Sequence, residues 1–320
     1  MIKDKLIAKP FIKWVGGKGK LLSSIDTFLP YNLEKIDNLT YIEPFIGGGA
    51  MLFYMLQKYP NIKTAVINDM NKDLVMAYNV VKEHAGALIH ELKQIQTEYL
   101  KLNEELRKLF YLDKRKLFNT KQLSDIDNTA YFIFLNKTCF NGLYRVNSKG
   151  AFNVPFGKYA NPTICDEYTI YSDSELLQKV EITCGDFEVT EKYARDLSLF
   201  YFDPPYRPLS STSSFNSYTK EAFGDEEQVR LRDFCIRMSK KKHLLMLSNS
   251  DCAGKNADDV FFDELYIDFF IDRVLASRSI NANPQGRGKL TELLIRNYAK
   301  TKQCSDVVEL KKELLLDIIH

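Results

Sequence analysis

The chain of 320 residues has no apolar run near the ~20 residues that span a bilayer. Its N-terminus, MIKDKLIAKPFIKW, is rich in lysine and has no apolar core of a secretory leader. A cytoplasmic location with no membrane association is therefore expected. Cysteine is sparse and scattered, at 139, 165, 184, 235, 252 and 304, with no CxxC pair, and there are only four histidines. That distribution gives no metal-ligand spacing, so reduced thiols and no metal are expected. GxGxxG is missing too, which argues against a nicotinamide oxidoreductase. Tryptophan occurs once, at position 14.

What is present is unevenly charged. The net charge is only +2, but residues 1–20 carry six lysines against one aspartate. Residues 101–163 hold eleven Lys and Arg against five Asp and Glu, or +6, so the rest sums to −4. A basic surface facing phosphates has this asymmetry, and so does a solvated helix face.

Hydrophobic periodicity predicts strands at 38–45, 63–69, 180–186, 197–203 and 243–249. Helices are predicted at 50–59, 72–84 and 225–240, with a charged helical pattern from 90 to 135. Residues 136–164, rich in Asn, Gly, Pro and aromatics, read as loop and hairpin. The tail segments 264–276 and 290–298 suit an antiparallel pair closing the sheet. The simplest organisation is an α/β catalytic domain built from 1–90 and 165–320, interrupted by a mainly helical insertion at 91–164.

Three constellations carry chemistry. Glu43-Pro44-Phe45-Ile46-Gly47-Gly48-Gly49-Ala50 lies between a strand and a helix, where glycines let backbone approach a ligand. Asp69 follows the next strand, where a nucleoside-binding α/β protein keeps a ribose-binding carboxylate. A tight packing turn alone would look similar. Asp203-Pro204-Pro205-Tyr206 follows an apolar strand. Prolines there leave carbonyls free to accept hydrogen bonds. An exocyclic amine such as adenine N6 is a poor nucleophile because its lone pair is delocalised. The Asp203 carboxylate and Pro204 carbonyl could each take one of its hydrogens and free that pair, with Tyr206 stacking on the base. The bland alternative is an aspartate capping the next helix. Lys13-Trp14-Val15-Gly16-Gly17-Lys18 sets the lone tryptophan beside glycines and a lysine; its ring would attract a sulfonium and Lys18 a carboxylate.

In this order, KWVGGK (13–18), EPFIGGGA (43–50), IND (67–69), NGLYRVNSKGAFNVPFGKY (141–159), DPPY (203–206), LSNSD (247–251) and SRSINANPQGRGKLTELLIRNY (277–298) resemble the DNA adenine methylase family. The resemblance runs over most of the chain and is closest to modification methylases of restriction systems. It implies a Rossmann-like methyltransferase sheet with an inserted recognition domain, S-adenosylmethionine as methyl donor, and N6 of adenine in double-stranded DNA as acceptor. Cofactor contacts would come from Trp14, Lys18, Phe45, Gly47, Gly49, Asp69 and Asp203, with Asp186 at the cofactor's adenine and Phe187 stacked beside it. The recognition segment implies GATC as the site. Arg145 would read a guanine, Lys13 and Tyr159 another base, and Leu143 a thymine methyl. Phe140, next to Asn141, would wedge into the stack left by a flipped base. A restriction endonuclease of the same site is the implied partner.

N4-cytosine methylation poses the same amine problem and stays open, as does a non-catalytic DNA-binding protein on this scaffold. C5-cytosine chemistry requires a thiolate, and no Pro-Cys lies near the catalytic loop.

Overall fold

The computed structural model describes residues 8–207, 223–254, 256–275 and 291–299. Seven strands form one sheet in the order β3-β2-β1-β4-β5-β7-β6. They are β1 (Leu39–Glu43), β2 (Ile62–Asp69), β3 (Val180–Cys184), β4 (Ser198–Phe202), β5 (Leu244–Ser250), β6 (Phe270–Leu275) and β7 (Thr291–Arg296). β1 pairs in parallel with β2 and β4, and only β7 runs against its neighbours. The eight α-helices among the described residues are α1 (Leu22–Asp26), α2 (Ala50–Lys58), α3 (Lys72–Leu100), α4 (Glu104–Asn119), α5 (Asp125–Thr138), α6 (Glu167–Leu177), α7 (Asp225–Lys240) and α8 (Phe261–Leu265). This is the mixed α/β, Rossmann-like architecture that the strand–helix alternation predicts.

Every residue of β1, β4 and β5 is buried. Central parallel strands have covered faces on both sides, which is why their sequences read as unbroken apolar runs. Alternation then divides the side chains. Tyr41, Ala65, Ile67, Leu199, Tyr201, Leu244 and Met246 join a core with α1–α6. Ile42, Val66, Phe200, Phe202, Leu245 and Leu247 face the opposite way, onto Phe234 and Met238 of α7 and Phe262 of α8.

One expectation needs correction. The tail segment 264–276 is not one strand: α8 ends at Leu265, a turn follows, and only Phe270–Leu275 pairs with β7. Residues 290–298 do supply the antiparallel partner, but it inserts between β5 and β6. α3 runs on past residue 90 to Leu100, with a kink at His84 (φ −133°, ψ 31°). Leu88, Leu92, Ile95 and Tyr99 of its second half share one core with Phe132 and Phe134 of α5.

The charged stretch 90–135 is broken where polar caps allow it. Asn103 and Ser124 accept the backbone N–H of Leu106 and Asp127, starting α4 and α5. Residues 139–156 then fold back in two short antiparallel bridges, Cys139 with Phe156 and Val146 with Phe152. Among the described residues no helix is long and apolar enough to cross a membrane.

Candidate active site and nucleic-acid interface

Strand order reverses between β1 and β4, and ligands of open α/β sheets bind beyond the carboxyl ends of strands at such a point. The glycine turn leaves β1 there. Gly47 and Gly49 have φ of +47° and +76°, which disfavours any residue with a Cβ. A Cβ on Gly47 would lie 2.8 Å from the Trp14 ring, and one on Gly49 would collide with the Tyr78 hydroxyl. That hydroxyl donates to the Gly47 carbonyl at 3.0 Å. Asn68 of β2 donates to the carbonyls of Pro44 (3.1 Å) and Gly185 (2.8 Å), tying three strand ends together.

Asp69 closes the turn: its two carboxylate oxygens accept the N–H of Gly47 (3.2 Å) and Asn71 (2.9 Å). Burial raises its pKa, against the backbone donors of Asn71, Gly47 and Met70. A carboxylate offers about four lone-pair sites, so these donors do not exhaust it. Phe45 sits 5.5 Å from the Phe187 ring. Asp186 makes a two-pronged pair with Arg230 of α7 at 2.9 and 2.6 Å, and the Arg230 guanidinium lies 4.4 Å over Phe187. That pair, with the Glu188 N–H (3.0 Å), holds the Asp186 carboxyl below the usual range.

Asp203, Pro204, Pro205 and Tyr206 leave β4 next to this turn. Lys18 reaches Asp203. Its ammonium is buried, 2.7 Å from Asp203 Oδ1 and 2.9 Å from the Gly16 carbonyl, and 4.6 Å over the Tyr206 ring. Ser248 of β5 adds a second bond to Oδ1 at 3.3 Å. Both of these bonds fall on Oδ1. Burial raises the Asp203 pKa, opposed chiefly by the Lys18 charge. Gln228 donates to the Pro205 carbonyl at 3.2 Å and accepts from Asn249 at 3.2 Å. Tyr206 donates its hydroxyl to Glu292 of β7 at 2.8 Å. Arg207 anchors the end of the loop through Asp225 and Asp259.

Of the residues expected to meet DNA, Phe140, Asn141, Leu143, Arg145 and Tyr159 lie on the segment after α5, and Lys13 is tied to it through Asn136. Asn136 accepts the Lys13 N–H at 2.8 Å and donates to the carbonyls of Lys13 (2.8 Å) and Gly142 (3.1 Å). The Lys13 ammonium lies 4.7 Å over the Tyr159 ring, whose hydroxyl accepts the Asn141 N–H at 3.1 Å. Asn141 has φ of +56°, and neighbouring Phe140 is 53% exposed although its chain position is pinned to Pro155. Leu143 is half-buried against the core. Arg145 is splinted by Asn153, through Oδ1 at 2.7 Å and the carbonyl at 3.2 Å.

Sequence reasoning did not single out Tyr78, Gln228, Arg230, Ser248, Asn249 or Glu292 as site residues. Ser248 and Asn249 carried a signal, since Ser-Asn-Ser ends an otherwise apolar buried strand. Glu292 carried none.

The Asp203–Tyr206 loop and the glycine turn leave adjoining strand ends, an arrangement that suits a group-transfer enzyme. A family model described as D12 class N6 adenine-specific DNA methyltransferase matches residues 14–280, and the chain belongs to that family. It is 50% identical over 293 residues to the Type II methyltransferase M.MjaIII of Methanocaldococcus jannaschii, covering 91% of this chain and 99% of that one. Type II methyltransferase M1.LlaDCHI of Lactococcus lactis is 41% identical over 92% of this chain and 98% of its own length. The DNA adenine methylase of Escherichia coli is 30% identical over 89% and 94%. The protein is thus an adenine-specific DNA methyltransferase acting on double-stranded DNA.

Proposed function

We propose that the protein takes its methyl group from S-adenosylmethionine and places it on N6 of the adenine in GATC, after flipping that base out of the duplex. The carrying observation is the placement of Asp203, held through Oδ1 by Lys18 and Ser248, beside the Gly47–Asp69 turn across the β1/β4 switch point. The donor set there fits the cofactor: Asp69 keeps lone pairs for ribose hydroxyls, the glycine turn brings backbone close, and the Trp14 and Phe45 rings supply apolar faces. When bound, S-adenosylmethionine supplies a methyl group on a sulfonium centre.

The protein's part is alignment and polarisation. Asp203 Oδ2 and the Pro204 carbonyl accept the two N6 hydrogens and draw the nitrogen towards a tetrahedral shape. Lys18 favours the ionised form of Asp203 against its burial and seats the Tyr206 ring, which stacks on the base. Phe140 fills the space the flipped adenine leaves, and unstacking costs a few kcal/mol. Arg145 reads guanine, Lys13 and Tyr159 another base, and Leu143 a thymine methyl. Asp186 meets the cofactor's adenine, with Phe187 alongside. Residues 91–164 serve as the recognition insertion. A cytoplasmic enzyme paired with an endonuclease of the same site suits relatives named as Type II methyltransferases.

Labelled S-adenosylmethionine offered with a GATC or a GTAC duplex tests the site and the donor together. N6-methyladenine on the GATC duplex alone is expected. Equal labelling of both, or of neither, removes the GATC assignment.

A further inference from the structure

The recognition segment is joined to the cofactor turn through one side chain that the proposed mechanism does not use. Tyr144 stands between Leu143 and Arg145, yet it points inward. Its ring stacks on Trp14, with centroids 5.5 Å apart and planes at 24°. Trp14 in turn lies against Gly47 and Gly48: a Cβ on Gly47 would stand 2.8 Å from the indole, and one on Gly48 3.1 Å from the Trp14 Cβ. The Tyr144 hydroxyl donates to Asp73 Oδ2 at 3.0 Å. Asp73 lies in the first turn of α3, four residues beyond Asp69, and also pairs with Lys121 just past α4. Asp69 completes the circuit by accepting the Gly47 N–H. Contacts therefore run from Gly47 through Trp14 and Tyr144 to Asp73, and the chain leads back from Asp73 to Asp69, which holds Gly47. Phe132 and Phe152 pack against the remaining edges of Tyr144, at 5.6 and 5.8 Å, and fix its position.

We propose that Tyr144 is a positioning residue that couples duplex recognition to cofactor binding by transmitting displacement of the recognition segment to the Trp14–Gly47 contact. The proposal rests on the reading above, in which Leu143 and Arg145 touch bases and the glycine turn holds the cofactor. A shift of the segment on DNA carries Tyr144 with it, and the close-packed indole cannot absorb that shift without changing its seat on the turn. Coupling of this kind is reciprocal: DNA tightens the cofactor by the factor by which the cofactor tightens DNA.

Trp14 is the only tryptophan, so its emission reports the contact directly. The experiment titrates the intact protein with S-adenosylhomocysteine, which cannot react, with and without a short GATC duplex. A coupling factor of about 5-fold or more is expected for the natural sequence, and duplex alone should alter Trp14 emission. In Tyr144→Leu the factor should fall to within about twofold of unity and the emission response should vanish, with each single-ligand affinity moved less than about threefold. Tyr144→Phe keeps the stack and should retain the emission response. A Tyr144→Leu protein with full coupling overturns the proposal. So does a natural protein that binds duplex with no change in Trp14 emission or cofactor affinity, a result that needs no variant to fold. Failure of the underlying reading is seen separately, as loss of preference for GATC duplex over other DNA or as no cofactor binding at all.

Discussion

Lys18→Met isolates what the buried ammonium does. Methionine fills much of the lysine volume but removes the charge 2.7 Å from Asp203 Oδ1. At an effective dielectric of 20 that pair attracts by about 6 kcal/mol. Most of it is offset by desolvation, because Lys18 is only 4% exposed, and by water reaching the 23% exposed Asp203 side chain once the cation is gone. The net effect should resemble the loss of a charged hydrogen bond, about 1.5–3 kcal/mol, or roughly 10- to 150-fold in kcat. The sign on pH is fixed by the same geometry. Burial already raises the Asp203 pKa and Lys18 lowers it, so removing Lys18 moves it further up. Activity needs the ionised carboxylate to accept N6 hydrogens, so the acidic limb of the kcat profile should move to higher pH. The assay is single-turnover methyl transfer across the pH range, with thermal melting to check folding. A folded Lys18→Met protein with unchanged kcat and an unchanged acidic limb refutes the reasoning.

Gly49→Ala should destabilise the fold by about 2 kcal/mol or more, from left-handed backbone plus the collision with Tyr78. Thermal melts should show partial recovery when Tyr78→Phe is added. Glu43 is buried, the Tyr41 hydroxyl donates to it at 2.5 Å, and burial raises its pKa well above the usual value. A raised carboxyl pKa means the folded state holds the proton more tightly, so stability falls as pH rises from the unfolded towards the folded value. Glu43→Gln should therefore gain melting temperature relative to the natural protein at pH 8 compared with pH 5; an equal difference at both contradicts this. Arg145→Ala should relax discrimination at one base pair of the site by about 1–3 kcal/mol. If it instead lowers affinity equally for all duplexes and reduces the salt dependence, Arg145 is a phosphate contact.

The strands were legible because β1, β4 and β5 are buried on both faces and their apolar runs leave no other reading. The loops that follow them were legible for a different reason: glycines and prolines appear where the backbone must turn at a strand end. The tail was harder to read. Residues 264–276 are mostly apolar with charges interspersed, and periodicity does not separate a short helix packed under α7 from the strand after it. The continuity of α3 past residue 90 was hidden by the change in its partner, from the sheet to the helices of the insertion. Least legible were the long-range pairings. Lys18 and Asp203 are 185 residues apart, and nothing local to KWVGGK says that its second lysine meets the catalytic loop. Glu292 sits in a short strand whose alternation explains it without reference to Tyr206.

The central claim is that Asp203 activates the target amine and does not merely hold DNA. Single-turnover transfer and duplex affinity measured side by side for Asp203→Ala test it most directly. The account predicts that transfer falls by about 10²–10³-fold or more while the duplex affinity stays within about threefold. Transfer surviving near the natural rate, in a folded protein that still binds cofactor and DNA, would contradict it.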